Sequence, residues 1–242
     1  MLLSKNSANY FTKKSLLLSA ELQWEEWPNG WKWLSKKTLL ESAKGSERVQ
    51  NLRYEFWKQV NNLNLQDLIF IDESAVNLVM VRLYARALKG SRARGLKRNR
   101  RGRNVSILGA ISVKKVVTSV NLLGSIDGIT FEAFIIRKLV PQLWKGAGVV
   151  MDNYGIHKGE EIEKAIKKAG ARLIFLPPYS PDFSPIENFR SQVKGILRTL
   201  GARTYKALSS AITRAFEQVD EQDFWNWFTH CCYCTSSTWE RL

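Results

Sequence analysis

Three carboxylates stand in local settings where chemistry is the economical explanation. "LIFIDES" (68–74) and "VVMDNYGIHKG" (149–159) each run an apolar stretch straight into an acid, Asp72 and Asp152. An acid that ends an apolar run emerges at the carboxyl end of a strand, where open α/β sheets place their ligand crevice. If the two strands are neighbours, Asp72 and Asp152 face one another, and their repulsion is relieved only when cations lie between them. Mg²⁺ suits such a pair because it prefers hard oxygen ligands. Two ions about 3.5–4 Å apart activate a nucleophile and stabilise the leaving oxygen in phosphoryl transfer. Glu187, in "PPYSPDFSPIEN", is the candidate third ligand, with 34 residues between it and Asp152. Each acid also has a plain reading. Either aspartate alone suits a strand-end turn or a helix N-cap, and Ser184-Pro185-Ile186-Glu187 has the pattern of a capping box, with Pro at N1 and Glu at N3.

The elements that must position these acids follow from periodicity. Val49, Leu52, Phe56 and Val60 recur at helical spacing in "ERVQNLRYEFWKQV". Strands are expected around 75–84, 104–112 and 115–122, joined by a basic loop. "ITFEAFIIRKLVPQLW" (129–144) sets Phe131, Phe134, Ile135, Leu139 and Leu143 on one helical face. The strand "GVVMD", a helix "GEEIEKAIKKAG" stopped by Gly170, the strand "ARLIFL" and a helix from Pro185 follow, with two more helices around 204–218 and 221–230. Hairpin strands followed by a βαβ alternation predict an α/β fold with a mixed sheet flanked by helices.

The 242 residues are 45% hydrophobic and carry a formal net charge of +15, enough apolar content for one sizeable core and a strong bias toward a polyanionic partner. Between Glu73 and Asp127 no acid occurs, while Arg82, Arg86, Lys89, Arg92, Arg94, Lys97, Arg98, Arg100, Arg101, Arg103, Lys114 and Lys115 all lie there. A solvated face normally mixes signs, so this block predicts a surface for backbone phosphates, with Arg82, Arg86, Arg92, Arg94, Lys97, Arg98, Arg100, Arg101 and Arg103 as its contacts. Tyr84 is the one aromatic side chain within the loop, so base stacking is not indicated. No run approaches the roughly 18 apolar residues of a membrane span, and lysines interrupt the amino-terminal apolar stretch, so a cytoplasmic protein without a membrane partner is expected. The three cysteines, Cys231, Cys232 and Cys234, are too crowded to close a zinc shell and read as reduced thiols.

Residues 1–46 form an irregular segment. Four of the nine tryptophans fall in "WEEWPNGWKW" (24–33) without helical or alternating period. Tryptophan has the single codon TGG, and a reading one nucleotide earlier turns each into an NTG codon and the stretch into a plausible helix. Residues 1–36 therefore read either as an out-of-frame translation, slipping at an adenine run under Lys36-Lys37, or as a genuine tryptophan-rich surface.

Asp72 in "FIDES", Asp152 in "VMDNYGIHKG" and Glu187 in "PPYSPDFSPIEN", in that order and with that spacing, resemble the Asp-Asp-Glu triad of the mariner superfamily of transposases, in its bacterial insertion-sequence branch. The likeness runs from about Thr38 to the carboxyl terminus and includes "NWFTHCCYCTS". It implies a ribonuclease H-like catalytic domain over 47–242. It also implies DNA strand cleavage with two Mg²⁺ ions, or Mn²⁺ in their place, then attack of the freed 3′-hydroxyl on target DNA. Asp72 and Asp152 would hold both ions and Glu187 would complete one coordination shell, without a covalent protein–DNA intermediate. Asn153 and His157 match motif positions beside the site. His157 reads equally as a helix-start histidine bonded to backbone, and Lys194 as a phosphate contact or a solvated lysine. Double-stranded DNA as partner, a homodimer and a bacterial, nucleoid-associated location come with the resemblance. Two departures stand out. Arg190 replaces a tryptophan common in the family, putting helix packing beside Glu187 in question, and nothing before residue 47 resembles the family's helix-turn-helix region, which an upstream frame product would then supply. Two other readings remain: a decayed DNA-binding remnant, and another kind of ribonuclease H-like nuclease.

Overall fold

The computed structural model describes residues 42–234 apart from Leu83, Lys97, Arg98 and Lys158. The tryptophan-rich stretch, the segment suspected of being out of frame and the end of the chain beyond Cys234 lie outside the described residues, as do the expected phosphate contacts Lys97 and Arg98.

Five strands form one mixed sheet in the order β3-β2-β1-β4-β5. β1 (Leu68–Val76), β2 (Val105–Ile111) and β3 (Val116–Leu123) are antiparallel neighbours, whereas β4 (Gly148–Met151) and β5 (Arg172–Phe175) run parallel to β1. Among the described residues six α-helices accompany it: α1 (Glu47–Val60), α2 (Gly128–Phe134), α3 (Glu160–Lys168), α4 (Pro185–Leu200), α5 (Tyr205–Glu217) and α6 (Glu221–His230). Alternation along β1 sorts the core into two layers. Phe70 and Val76 join α1, α4, α5 and α6 on one face, and Ile69 and Ile71 join α2 and α3 on the other. This is the α/β sheet flanked on both faces, with carboxyl-terminal helices, that the alternation predicts.

Several details differ from the sequence reading. β1 does not stop at Asp72. Antiparallel pairing with β2 carries it from Phe70 opposite Ile111 to Val76 opposite Val105, well past the point where β4 leaves its other edge. The strand expected over 75–84 forms only as that tail. The Asn77 side chain accepts a hydrogen bond from the Val79 N–H at 3.1 Å, turning the chain out of the sheet, and the described residues of the cationic run beyond join no strand. Leu52 is 41% exposed although it shares the helical spacing of the buried Val49, Phe56 and Val60. The helix expected over 129–144 is α2 followed by a wide π turn (Ile135–Leu139) and a tight 3-10 turn (Val140–Gln142), where Pro141 has no N–H to continue the ladder.

The loop from β5 into α4 is held from two sides. Arg53 on α1 pairs with Asp182 at 2.7 Å, donates to the Ser180 hydroxyl at 2.6 Å and lies over the Phe183 ring, while Lys44 reaches Asp182 at 2.9 Å. From the other side the Tyr233 hydroxyl donates to the Phe183 carbonyl at 2.6 Å. α4 then buries Ile186, Phe189, Val193 and Leu197 in one stripe and ends at Gly201, whose φ of 57° is cheap for glycine. It runs unbroken through Arg190, whose partly buried side chain borders that stripe at the Ile186 and Val193 side, so the helix continues where the tryptophan of the family is replaced. Cys231 and Cys234 are buried free thiols, and burial pushes Cys231 up to about 12, so neither is poised as a thiolate ligand.

Candidate active site

The parallel ladder between β1 and β4 sets Leu68 opposite Gly148 and Phe70 opposite Val150. Two residues further along each strand come Asp72 and Asp152, on the same sheet face by strict alternation. Asp152 leaves the carboxyl end of β4 as expected. Asp72 does not leave a strand end: it sits mid-strand, opposite Gly109, at the level where β4 has finished. The crevice is therefore a notch beside β1, opened by the shortness of β4, and α4 lies across that face with Glu187 in its first turn.

The capping box does not form. Ser184 precedes α4 with extended backbone, but its side chain makes no cap hydrogen bond. The Glu187 carboxylate instead accepts from the Arg190 guanidinium at 3.3 Å. The same Arg190 nitrogen donates to Asp72 Oδ2 in a close ion pair. One guanidinium thus bridges an acid from β1 and an acid from α4, an i,i+3 pairing within the helix that also reaches the sheet.

Burial pushes Asp72 up to about 6; Arg190 pulls against this, the charges of Glu187 and Asp152 add to it, and the Glu73 N–H at 2.6 Å relieves a little. Asp152 ends on the other side. Burial works to raise it, but the His157 ring, the Tyr154 N–H at 3.2 Å and Arg190 outweigh that and hold it below the usual carboxylate range. All three acids therefore share one electrostatic neighbourhood centred on Arg190. For Asp72 the consequence for stability has a definite sign. The folded carboxyl holds its proton more tightly than the unfolded one, so this group favours folding most below pH 3.8 and loses that contribution as pH rises to about 6. Asparagine at position 72, which cannot ionise, is expected to stabilise the metal-free protein by about 2–3 kcal/mol above pH 6 and by little at about pH 4. Chemical denaturation at the two pH values measures the difference, and equal gains at both would contradict it.

Carboxylate oxygens from β1, the end of β4 and a helix, with Glu187 and Asp152 both raising the cost of ionising Asp72, are a donor set of the hard type that divalent Mg²⁺ or Mn²⁺ prefers. As they stand, no three such side chains among the described residues are drawn close enough to cage an ion. They gather round Arg190 rather than round one another.

His157 does more than the backbone contact expected of it. Its Nδ1 pairs closely with the Asp152 carboxylate and lies 3.4 Å from the Asp152 carbonyl oxygen, while its ring stacks on Phe131 at 4.1 Å between centroids. The ring is 3% exposed, so the Asp152 side chain is fixed from below by a packed group. Asn153 is exposed beside it. Lys194 is half-buried one turn past Arg190, and Arg198 another turn on, which aligns three cations at i, i+4 and i+8 along α4. Burial first, then Arg190 and Arg198, push the Lys194 ammonium below its ordinary range. Arg82 joins the far end of this stripe through a 3.2 Å bond to the Thr199 hydroxyl. Arg86, Arg92, Arg94, Arg100, Arg101 and Arg103 are exposed on the loop between β1 and β2, whose far end is pinned where the Arg103 N–H donates to the Tyr205 hydroxyl at 2.6 Å. Neither the Arg190 bridge nor the Arg53–Asp182 clamp is evident from the sequence, although the three-residue step from Glu187 to Arg190 was a usable signal for the first.

A five-stranded mixed sheet with acids gathered at its central strands and a helix-borne glutamate across them defines the class: a ribonuclease H-like nuclease fold. Residues 67–209, more than half the chain, match the family described as DDE superfamily endonuclease, and the chain belongs to that family. Solved structures with the same fold include the strand transfer complex of Mos1 transposase, 15% identical over 96% of this chain and 68% of that chain, with a TM-score of 0.64. The Mos1 transposase paired-end complex with the left transposon end is 14% identical over 96% and 68%, with a TM-score of 0.61. The catalytic domain of Mos1 mariner transposase is 12% identical over 85% and 97%, with a TM-score of 0.55. No curated protein matches the chain.

Proposed function

We propose that residues 47–242 are the catalytic domain of a transposase of the mariner type, in its bacterial insertion-sequence branch, which cleaves DNA strands and joins the freed 3′-hydroxyl to a target. The observation that carries this is the Arg190 bridge between Asp72 and Glu187 beside β1, with Asp152 on the same sheet face and in electrostatic reach of Asp72 and Arg190. Asp72 and Asp152 would hold two Mg²⁺ ions, or Mn²⁺ in their place, and Glu187 would complete one shell. When bound, the ions supply an activated nucleophile and stabilise the leaving 3′-oxygen. His157 orients the Asp152 carboxylate, Asn153 stands at the rim, and Lys194 with Arg198 offers charge to a phosphate entering along α4. The partner is double-stranded DNA, both element ends and target. Two ends must be processed together, which favours a homodimer, and a product of an upstream frame supplies the helix-turn-helix reader. A bacterial, nucleoid-associated location goes with that partner. Among the described residues no helix is long and apolar enough to cross a membrane.

The test is incubation, with Mg²⁺ or Mn²⁺, of duplexes carrying the DNA that flanks the gene on each side, any inverted repeats there included. Strand nicks at the repeat ends followed by a joined product are expected. Cleavage confined to RNA–DNA hybrids without joining would point to another ribonuclease H-like nuclease, and no cleavage of any substrate to a decayed DNA-binding remnant.

The basic loop carries a separate expectation. Replacing Arg92, Arg94, Arg100 and Arg101 together by glutamine is expected to flatten the slope of log affinity against log salt by about 3–4, since each phosphate contact contributes about 0.9. Filter binding across a salt series measures the slope, and an unchanged slope would remove the loop from the DNA surface.

A further inference from the structure

Arg190 holds a place that a cation of another kind would want. Its guanidinium donates to Asp72 and, at 3.3 Å, to Glu187. Asp152 is also within its electrostatic reach. Yet the seat is incomplete for an arginine: the Nε–H is buried and finds no acceptor among the described residues. A guanidinium carries five donors in a rigid fork, and a site shaped for it would satisfy them. Here the acids hold the head at the cost of one unpaired N–H, which is how a counter-ion sits among charges, not how a structural arginine sits in a finished network. Lys194 and Arg198 follow it along α4, so Arg190 also faces like charge on the helix and compensating charge only at the acids.

We propose that Arg190 is a resident counter-cation of the acid cluster, so that divalent-ion binding is an exchange in which the ion enters as the guanidinium leaves Asp72 and Glu187. This rests on reading the three acids as a metal site. The exchange explains why the acids are near one another but not drawn into an ion-sized cage: a planar guanidinium, broader than a metal ion, spaces them. It also makes this chain a weak binder of free ions, because each must displace a charge-assisted pair.

Titration of Mn²⁺ into the full chain, followed by the loss of the free-ion electron paramagnetic resonance signal, tests it with four proteins: wild type, Arg190→Gln, Arg190→Lys and Asp152→Asn. Arg190→Gln is expected to bind Mn²⁺ about ten- to a hundredfold more tightly than wild type, the equivalent of losing a charged hydrogen-bonded competitor. Arg190→Lys, which keeps the charge, is expected to stay within a few-fold of wild type, and Asp152→Asn to lose the site. Thermal unfolding adds a readout free of catalysis: Mn²⁺ should raise the midpoint of Arg190→Gln more than that of wild type. Equal or weaker binding by Arg190→Gln, with Asp152→Asn still abolishing it, would overturn the exchange and leave the metal site standing. Tight binding that Asp152→Asn does not affect would overturn the metal site itself.

Discussion

Asparagine in place of Asp152 is expected to lower Mg²⁺-dependent strand cleavage by at least about a thousandfold while duplex affinity changes by no more than a few-fold. The substitution keeps the shape and removes one negative charge from the notch beside β1. An ion in such a site supplies several kcal/mol of charge stabilisation to the transition state, and each 1.36 kcal/mol is a factor of ten in rate. Asp152 is the acid best prepared for the role. Its carboxylate is held ionised by His157 and the Tyr154 N–H, and His157 is in turn locked by stacking on Phe131. Duplex affinity should survive because the exposed cations lie on the loop between β1 and β2, and the half-buried Lys194 and Arg198 lie further along α4. Single-turnover cleavage of an end-labelled duplex, with binding measured in Ca²⁺, separates the two effects. A cleavage rate within tenfold of wild type would remove Asp152 from the chemistry.

Alanine in place of Phe228 is expected to destabilise the fold by about 4 kcal/mol, the range for removing a fully buried aromatic ring. Phe228 is 0% exposed on α6, meets Phe70 of β1 edge-to-face at 5.4 Å between centroids, and touches Tyr233 at 5.9 Å. The cavity would open directly beneath the layer that carries α4 and would free Tyr233, which tethers the Phe183 carbonyl just before Glu187. A loss of cleavage larger than the unfolded fraction explains is therefore also expected. Urea denaturation measures the stability, with Leu52→Ala on the exposed edge of α1 as the control, expected to cost under about 1 kcal/mol. A Phe228→Ala cost as small as that control would mean that α6 is not part of the core.

How much of this was legible in the sequence depends on the range of the forces involved. The helix from Pro185 and the alternation of strands and helices around β4 and β5 are local patterns, and they folded as read. The end of β1 was misplaced because an apolar run does not decide where a strand stops. The ladder with β2 does, and β2 lies some thirty residues away across the basic loop. The Ser184–Glu187 pattern has the composition of a capping box, but the Glu187 carboxylate has a stronger partner in Arg190, a charge that the cap pattern does not take into account. Arg190 was visible as an odd residue beside Glu187, but only the fold carries it to Asp72, because β1 and α4 are 118 positions apart at that contact. The clamp of Arg53 on Asp182, which steadies the loop ahead of α4, is long-range in the same way.

Anomalous scattering from crystals soaked in Mn²⁺, with wild type and Arg190→Gln side by side, addresses the centre of the matter. Two Mn²⁺ peaks about 3.5–4 Å apart, bounded by Asp72, Asp152 and Glu187, are expected, the separation at which paired ions serve phosphoryl transfer. Peaks elsewhere on the surface, with the three carboxylates still gathered and empty in both proteins, would contradict a metal-dependent active site at this notch.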